Sequence, residues 1–164
     1  MKKLLIYITG LIRYAGWISA TFCSALIILI CIDVIQRYLF NQSYNWIIEL
    51  EWHLFGLIFL FGSAYTLHMD KHVRVDVFYQ NFSPEKKALT NLLGTIFLLV
   101  PWCLVAIKTC YTYAANSFYI REGSPNPDGL PALYIMKFCM VIGFILILLQ
   151  ALVIIYDSVK TMIK

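Results

Sequence analysis

Apolar residues in this chain fall into long uncharged runs divided by short polar stretches. Residues 15–32 carry no charge, residues 88–107 carry none over twenty positions, and residues 138–156 none over nineteen. A fourth run, 54–67, is only fourteen residues long and reaches spanning length by extending back through His53, Glu51 and Glu49 to Trp46. A helix needs about 20 mostly apolar residues to cross the hydrocarbon core. The pattern therefore predicts an all-α integral membrane protein with four transmembrane helices, over about residues 14–36, 46–68, 87–112 and 131–156. The whole chain, 1–164, reads as a single membrane domain.

The segments between the spans add detail. Lys2 and Lys3 precede an apolar stretch that could pass for a signal peptide, but Arg13 interrupts it and no small-x-small cleavage site follows. Residues 1–13 read instead as a short interfacial lead-in. In the loop after the second span, Val73, Val77, Phe78 and Phe82 share one helical face. That loop could hold a short amphipathic segment on the membrane, although alternation at Val73, Val75 and Val77 suits an extended piece equally. Ser83, Pro84 and Glu85 read as an N-cap, a proline at N1 and an acid in the first turn. Pro101 removes one hydrogen bond of the third helix and is expected to bend it. Gly16, Ala20 and Ser24 form a small-xxx-small row suited to close helix packing, and Gly56, Gly62, Gly94 and Gly143 could act similarly.

Composition agrees with a lipid environment. Of 164 residues, 61% are apolar and 13% charged, and mean hydropathy is +0.76, where a soluble domain would be about 25% charged. This excludes a disordered chain, a nucleic-acid-binding domain and most soluble enzyme folds. The net charge of +4 is spread along the chain and forms no polyanion-binding patch. Its distribution sets an orientation. Nine lysines and arginines fall on the side of the termini and the 68–87 loop, against Arg37 and Arg121 on the other, which predicts both termini in the cytoplasm. The five cysteines lie in apolar runs without a CxxC, so neither a disulfide framework nor a zinc site is expected.

With that orientation, the buried charges gather in the outer half. Asp33 and Arg37 close the first span, four residues apart on one helical face. Trp46, Glu49, Glu51 and His53 open the second, Lys108 nears the outer end of the third, and Lys137 lies about two turns into the fourth, after Pro131. Three acids, Asp33, Glu49 and Glu51, thus stand at similar depth to three bases, Arg37, Lys108 and Lys137. An ionisable group in a bilayer is costly and marks a candidate functional site. It can be an internal ion-pair layer with snorkelling, or a docking surface for another subunit. Glu49 and Glu51 are about 200° apart on a helical wheel, so both cannot face one neighbour. No polar steps continue inward, which argues against transport by this chain alone. Haem is not expected: His53 and His68 lie on one helix, about 22 Å apart, and no second span offers a histidine. No Ser-His-Asp set, HExxH or Gly-rich phosphate loop is present, so no catalytic residues, metal site or cofactor are expected.

Several short strings then fall into a recognisable order. They are Arg37-Tyr38-Leu39-Phe40, then Trp46 with Glu49 and Glu51, Gly62 and Ala64, and His72-Val73-Arg74-Val75-Asp76. Ser124 with Gly129-Leu130-Pro131 follows, and then Lys137, Gly143 and Gln150. In this order the chain resembles the small membrane subunit of tripartite ATP-independent periplasmic (TRAP) transporters, the DctQ-like family. The resemblance implies an accessory scaffold in sodium-coupled import of organic anions at the bacterial inner membrane. Its partners would be a large membrane subunit and a periplasmic binding protein docking on the outer face. His72, Arg74 and Asp76 would serve assembly or folding. The HVRVD string and the SPNPDGLP loop look most like the keto-acid or mannitol-type branch of that family. The alternative from another class is a membrane anchor of a respiratory or redox complex, and a small autonomous exporter is a third.

Overall fold

In the computed structural model, which describes residues 2–72, 79 and 81–163, four helices alternate in direction. Helix α1 is Lys2–Leu39, α2 is Asn45–His68, α3 is Pro84–Tyr119 and α4 is Leu133–Ile163. Each is long and apolar enough to cross a membrane. The α1–α2 and α3–α4 connections lie together at one end, called here the loop end. Both chain termini and the α2–α3 connection lie at the other, the terminal end. Residues 73–78 and 80 of the anticipated amphipathic segment, including Arg74 and Asp76, lie outside the described residues.

The lead-in expected at residues 1–13 is not a separate element. It is helical and continuous with the span, giving an α1 of 38 residues, about 57 Å at 1.5 Å per residue. The reason is a packing seam that ignores Arg13. Ile8, Ile12, Ala15, Ser19, Phe22, Leu26, Leu29, Asp33 and Gln36 are buried or half-buried, spaced alternately by four and three. This is the heptad rhythm that keeps one stripe of a helix against its neighbours. Ile8, Ile12 and Ala15 join Ala64 of α2 and Leu146 and Val153 of α4 in one apolar cluster. Along this seam Ser19 Oγ donates to the Ile58 carbonyl at 2.9 Å, and Gly16 lies under the Tyr65 ring. Ala20 and Ser24, expected in the packing row, are exposed; the close approach runs through Gly16 and Ser19.

Helix α4 is the hub. It packs against α1, α2 and both halves of α3, while α3 makes no comparable contact with α1 or α2. A third of its most apolar window is buried (33%), against 11% for each of the others. Gly143 lets α4 approach Leu60 of α2, and Gly56 of α2 lies against Met136. Gly94 has open space around it and serves no such contact.

Helix α3 begins as its sequence predicts. The Ser83 hydroxyl accepts from the Lys86 N–H at 3.4 Å, with Pro84 in the first turn. The response to Pro101 is a π-helical turn over Thr95–Leu99, in which the Val100 N–H reaches the Thr95 carbonyl. Proline lacks the N–H that would bond four residues back, and its ring crowds that carbonyl. A wider turn just before it relieves both problems, as π-bulges inside α-helices do.

The two glycines of α1 make opposite predictions for stability. A Cβ at Gly16 would stand 2.6 Å from the Tyr65 ring, so Gly16→Ala should destabilise the purified chain by about 1–3 kcal/mol through overpacking. A Cβ at Gly10 meets nothing within 4 Å, so Gly10→Ala should be neutral or stabilising by up to about 1 kcal/mol through helix propensity. Thermal unfolding in detergent measures both.

Candidate functional site

The charges that the sequence places in one layer separate in the structure into three groups at the loop end. The first is built on Glu49, in the second turn of α2. Its Oε1 accepts hydrogen bonds from the Ser124 hydroxyl and from Asn126 Nδ2 at 3.0 Å, and its Oε2 accepts from the Leu130 N–H at 2.7 Å. All three donors belong to the α3–α4 loop. Asn45 Nδ2 adds a bond to the Pro127 carbonyl at 2.9 Å. Within the loop, Ser124 N–H donates to the Leu130 carbonyl, and Gly129 N–H to that of Asn126. Gly129 is required by close approach: a Cβ there would fall 2.9 Å from Glu49 Oε1. Pro131 sits in this loop two residues before α4, with its carbonyl against Gly123. His53, one turn below Glu49, places Nδ1 2.5 Å from the Glu49 carbonyl.

The second group centres on Lys137, buried on the second turn of α4. Its partner is Glu122 in the loop, not Glu49 or Glu51. Glu122 Oε2 also accepts from the Ser117 hydroxyl at 2.5 Å, and the Lys137 ammonium stands 4.0 Å from the Tyr113 ring centroid. The ammonium beside it, then the Ser117 hydroxyl, hold the Glu122 carboxyl below its ordinary pKa. This group ties the end of α3 to the start of α4.

The third group lies between α1 and α2. Arg37 donates to Asp33 at 2.5 Å, as the four-residue spacing predicts, with Asp33 buried and Arg37 half in solvent. Asp33 continues the α1 packing seam and so faces α2, where Glu51 is its neighbour. Asp33 Oδ1, Gln36 Oε1 and Glu51 Oε1 are all buried without a hydrogen-bond partner. Arg37 satisfies one oxygen of Asp33 and leaves these three acceptors without a donor among the described residues. Buried acceptors of this kind cost free energy until a donor reaches them.

Lys108, the third base of the expected layer, is exposed on α3, and among the described residues it has no ion pair. Trp46 is 40% exposed at the start of α2, and His72 is exposed at the terminal end. In the Lys137 group, three participants escaped the sequence reading: Glu122, Ser117 and Tyr113. Glu122 reads as an ordinary loop charge, because its partner lies fifteen positions on. The usable signal was Lys137 itself, a cation inside a span that needs a carboxylate within reach.

Residues 26–161 match the family described as tripartite ATP-independent periplasmic transporters, DctQ component. Among curated proteins, the C4-dicarboxylate TRAP transporter small permease protein DctQ of Vibrio cholerae serotype O1 is 25% identical over 119 residues, 70% of this chain and 51% of that protein. The chain therefore spans about half the length of the curated relative it matches. Glu49, Glu122 and Lys137 all lie inside the stretch that the family covers.

The Glu122–Lys137 contact has a definite pH signature. The folded carboxyl titrates below its unfolded value, so its contribution is complete above the ordinary glutamate pKa of about 4.3 and is lost as pH falls through the folded value. The melting midpoint of the wild-type chain should fall on acidification below about pH 4.3. Glu122→Gln should melt lower at neutral pH, and its deficit should vanish in acid. A deficit that stays constant across that range would remove the pair from the account.

Proposed function

The chain belongs to the DctQ component family of tripartite ATP-independent periplasmic transporters, and from that premise we propose that it acts as a non-catalytic brace for a larger transport subunit. Components of this family are parts of transporters and not enzymes, which sets the redox-anchor alternative aside. The chain is a small permease subunit, a multi-pass protein of the bacterial inner membrane. On our reading the whole chain works as one membrane unit with both termini in the cytoplasm, so the loop end faces the periplasm. Its partners are a large membrane subunit and a periplasmic binding protein that docks on the outer face, and uptake is sodium-coupled import of an organic anion. The name of the Vibrio cholerae relative makes a C4-dicarboxylate the first substrate to try.

The observation that carries the bracing role is the set of orphaned acceptors on Asp33, Gln36 and Glu51. Glu49 is consumed by its own loop, so of the two acids opening α2, Glu51 is the one left to meet another chain. Beside it, Trp52, Phe55 and Phe59 form an outward stripe, 66–74% exposed. A lysine or arginine of the large subunit entering between α1 and α2 would satisfy the oxygens, and the aromatic stripe would pack around it. His72, exposed at the terminal end, and Arg74 and Asp76 of the same sequence string then serve assembly and not substrate.

A reporter fused after Lys164 should be cytoplasmic and one inserted near Asn126 periplasmic; the reverse would overturn the orientation. Glu51→Gln separates docking from internal pairing. The new amide can donate to Asp33, so the isolated chain should melt at the same temperature or higher. The partner cation would lose its carboxylate at a cost of about 3 kcal/mol, roughly two decades of affinity, read as lost co-purification with the large subunit. A lowered midpoint with intact co-purification would assign Glu51 to the chain's own stability.

A further inference from the structure

At the terminal end, α1 and α4 line a groove of about 570 Å³. Leu5, Gly10 and Arg13 of α1 face it with Val153, Tyr156, Asp157 and Lys160 of α4. Arg13 and Asp157 are the first charged residues beyond the uncharged runs of α1 and α4 at that end. The groove therefore straddles the boundary where hydrocarbon gives way to lipid headgroups. Within it, side chains on a helix lean toward that helix's N-terminus. Because α1 and α4 are antiparallel, Arg13 leans toward the terminal end and Lys160 toward the membrane, so the two cations converge. Among the described residues neither is neutralised by an ion pair, and Asp157 forms none either. Gly10 leaves the α1 wall open, with nothing within 4 Å of where its Cβ would be.

We infer that this groove is a binding site for an anionic phospholipid of the leaflet facing the termini. The phosphate sits between Arg13 and Lys160, with its acyl chains leaving toward the loop end into the hydrocarbon beside α1. Two features select this occupant over a soluble anion or a partner helix. The groove begins where the uncharged runs of α1 and α4 end, and its charge is cationic by two to one. Basic pockets between transmembrane helices are the known form of such sites. Tyr156 and Asp157 can pair with headgroup hydroxyls, which favours phosphatidylglycerol over a headgroup without them. The site does not depend on which side of the membrane the termini occupy, nor on the larger subunit, and it can be tested on this chain alone.

The test is native mass spectrometry and thermal unfolding of the full chain in detergent, with phosphatidylglycerol, phosphatidylcholine or inorganic phosphate added. Phosphatidylglycerol should remain as a bound adduct and raise the midpoint, while phosphatidylcholine and phosphate do neither. The double variant Arg13→Gln, Lys160→Gln should bind at least tenfold more weakly. Gly10→Phe should block the groove with every charge kept, and Lys86→Gln should bind as wild type. Equal effects of phosphatidylcholine, or of inorganic phosphate, would overturn the site, as would unchanged binding in the folded Gly10→Phe chain. If Gly10→Phe does not fold, the charge variant decides alone, and binding retained there overturns the site as well.

Discussion

The Glu49 carboxylate holds the loop end together, and much else follows from that one group. A carboxylate entering a membrane span must find donors, because hydrocarbon offers none. Glu49 takes them from Ser124, Asn126 and Leu130, which fixes the α3–α4 loop over the start of α2. Once that loop is fixed, Glu122 at its other end is held beside Lys137, and the lysine can be buried. Lys137 in turn lies against Tyr113, which joins α3 to α4. Helix α3 packs on α4 but has no comparable packing on α1 or α2, so this polar chain is what links its loop end to α2. Charged-group chemistry thus supplies the geometric specificity that apolar packing in lipid provides weakly.

The sequence made some of this legible and hid the rest for identifiable reasons. Local relations could be read directly: the four runs, the Ser83 cap with Pro84, and the Asp33–Arg37 pair four residues apart. Relations across the chain could not. Glu49 and its donors are 75 to 81 residues apart, and nothing in a single sequence distinguishes a loop donor from a lysine as the partner of a carboxylate. Matching acids to bases by depth alone therefore paired Glu49 and Lys137 with each other's layer, although each had its own partner in the loop. That residues 2–13 continue the first helix without a break was hidden because Arg13 interrupts the hydropathy. The seam through Ile8, Ile12 and Ala15 passes it on another face, and an exposed arginine does not break a helix. At Pro101 the missing hydrogen bond was foreseen, but not the π-helical turn over Thr95–Leu99 that precedes it.

With α4 enclosed, the surfaces left over are chemically unlike at the two ends. At the loop end, Asp33, Gln36 and Glu51 present acceptor oxygens that the chain leaves without donors. At the terminal end, Arg13 and Lys160 present donors that it leaves without a paired acceptor. Each includes residues of α1: Arg13 toward one end of that helix, Asp33 and Gln36 toward the other. Moving Arg13 to Asp33 along α1 covers twenty residues, about 30 Å, which is the thickness of the hydrocarbon core. The unmet demands of α1 therefore fall at its two membrane boundaries and not within the apolar stretch between them. A brace with that distribution can be held at both faces of the bilayer, by a cationic partner at one and an anionic one at the other, while its middle remains a plain apolar surface.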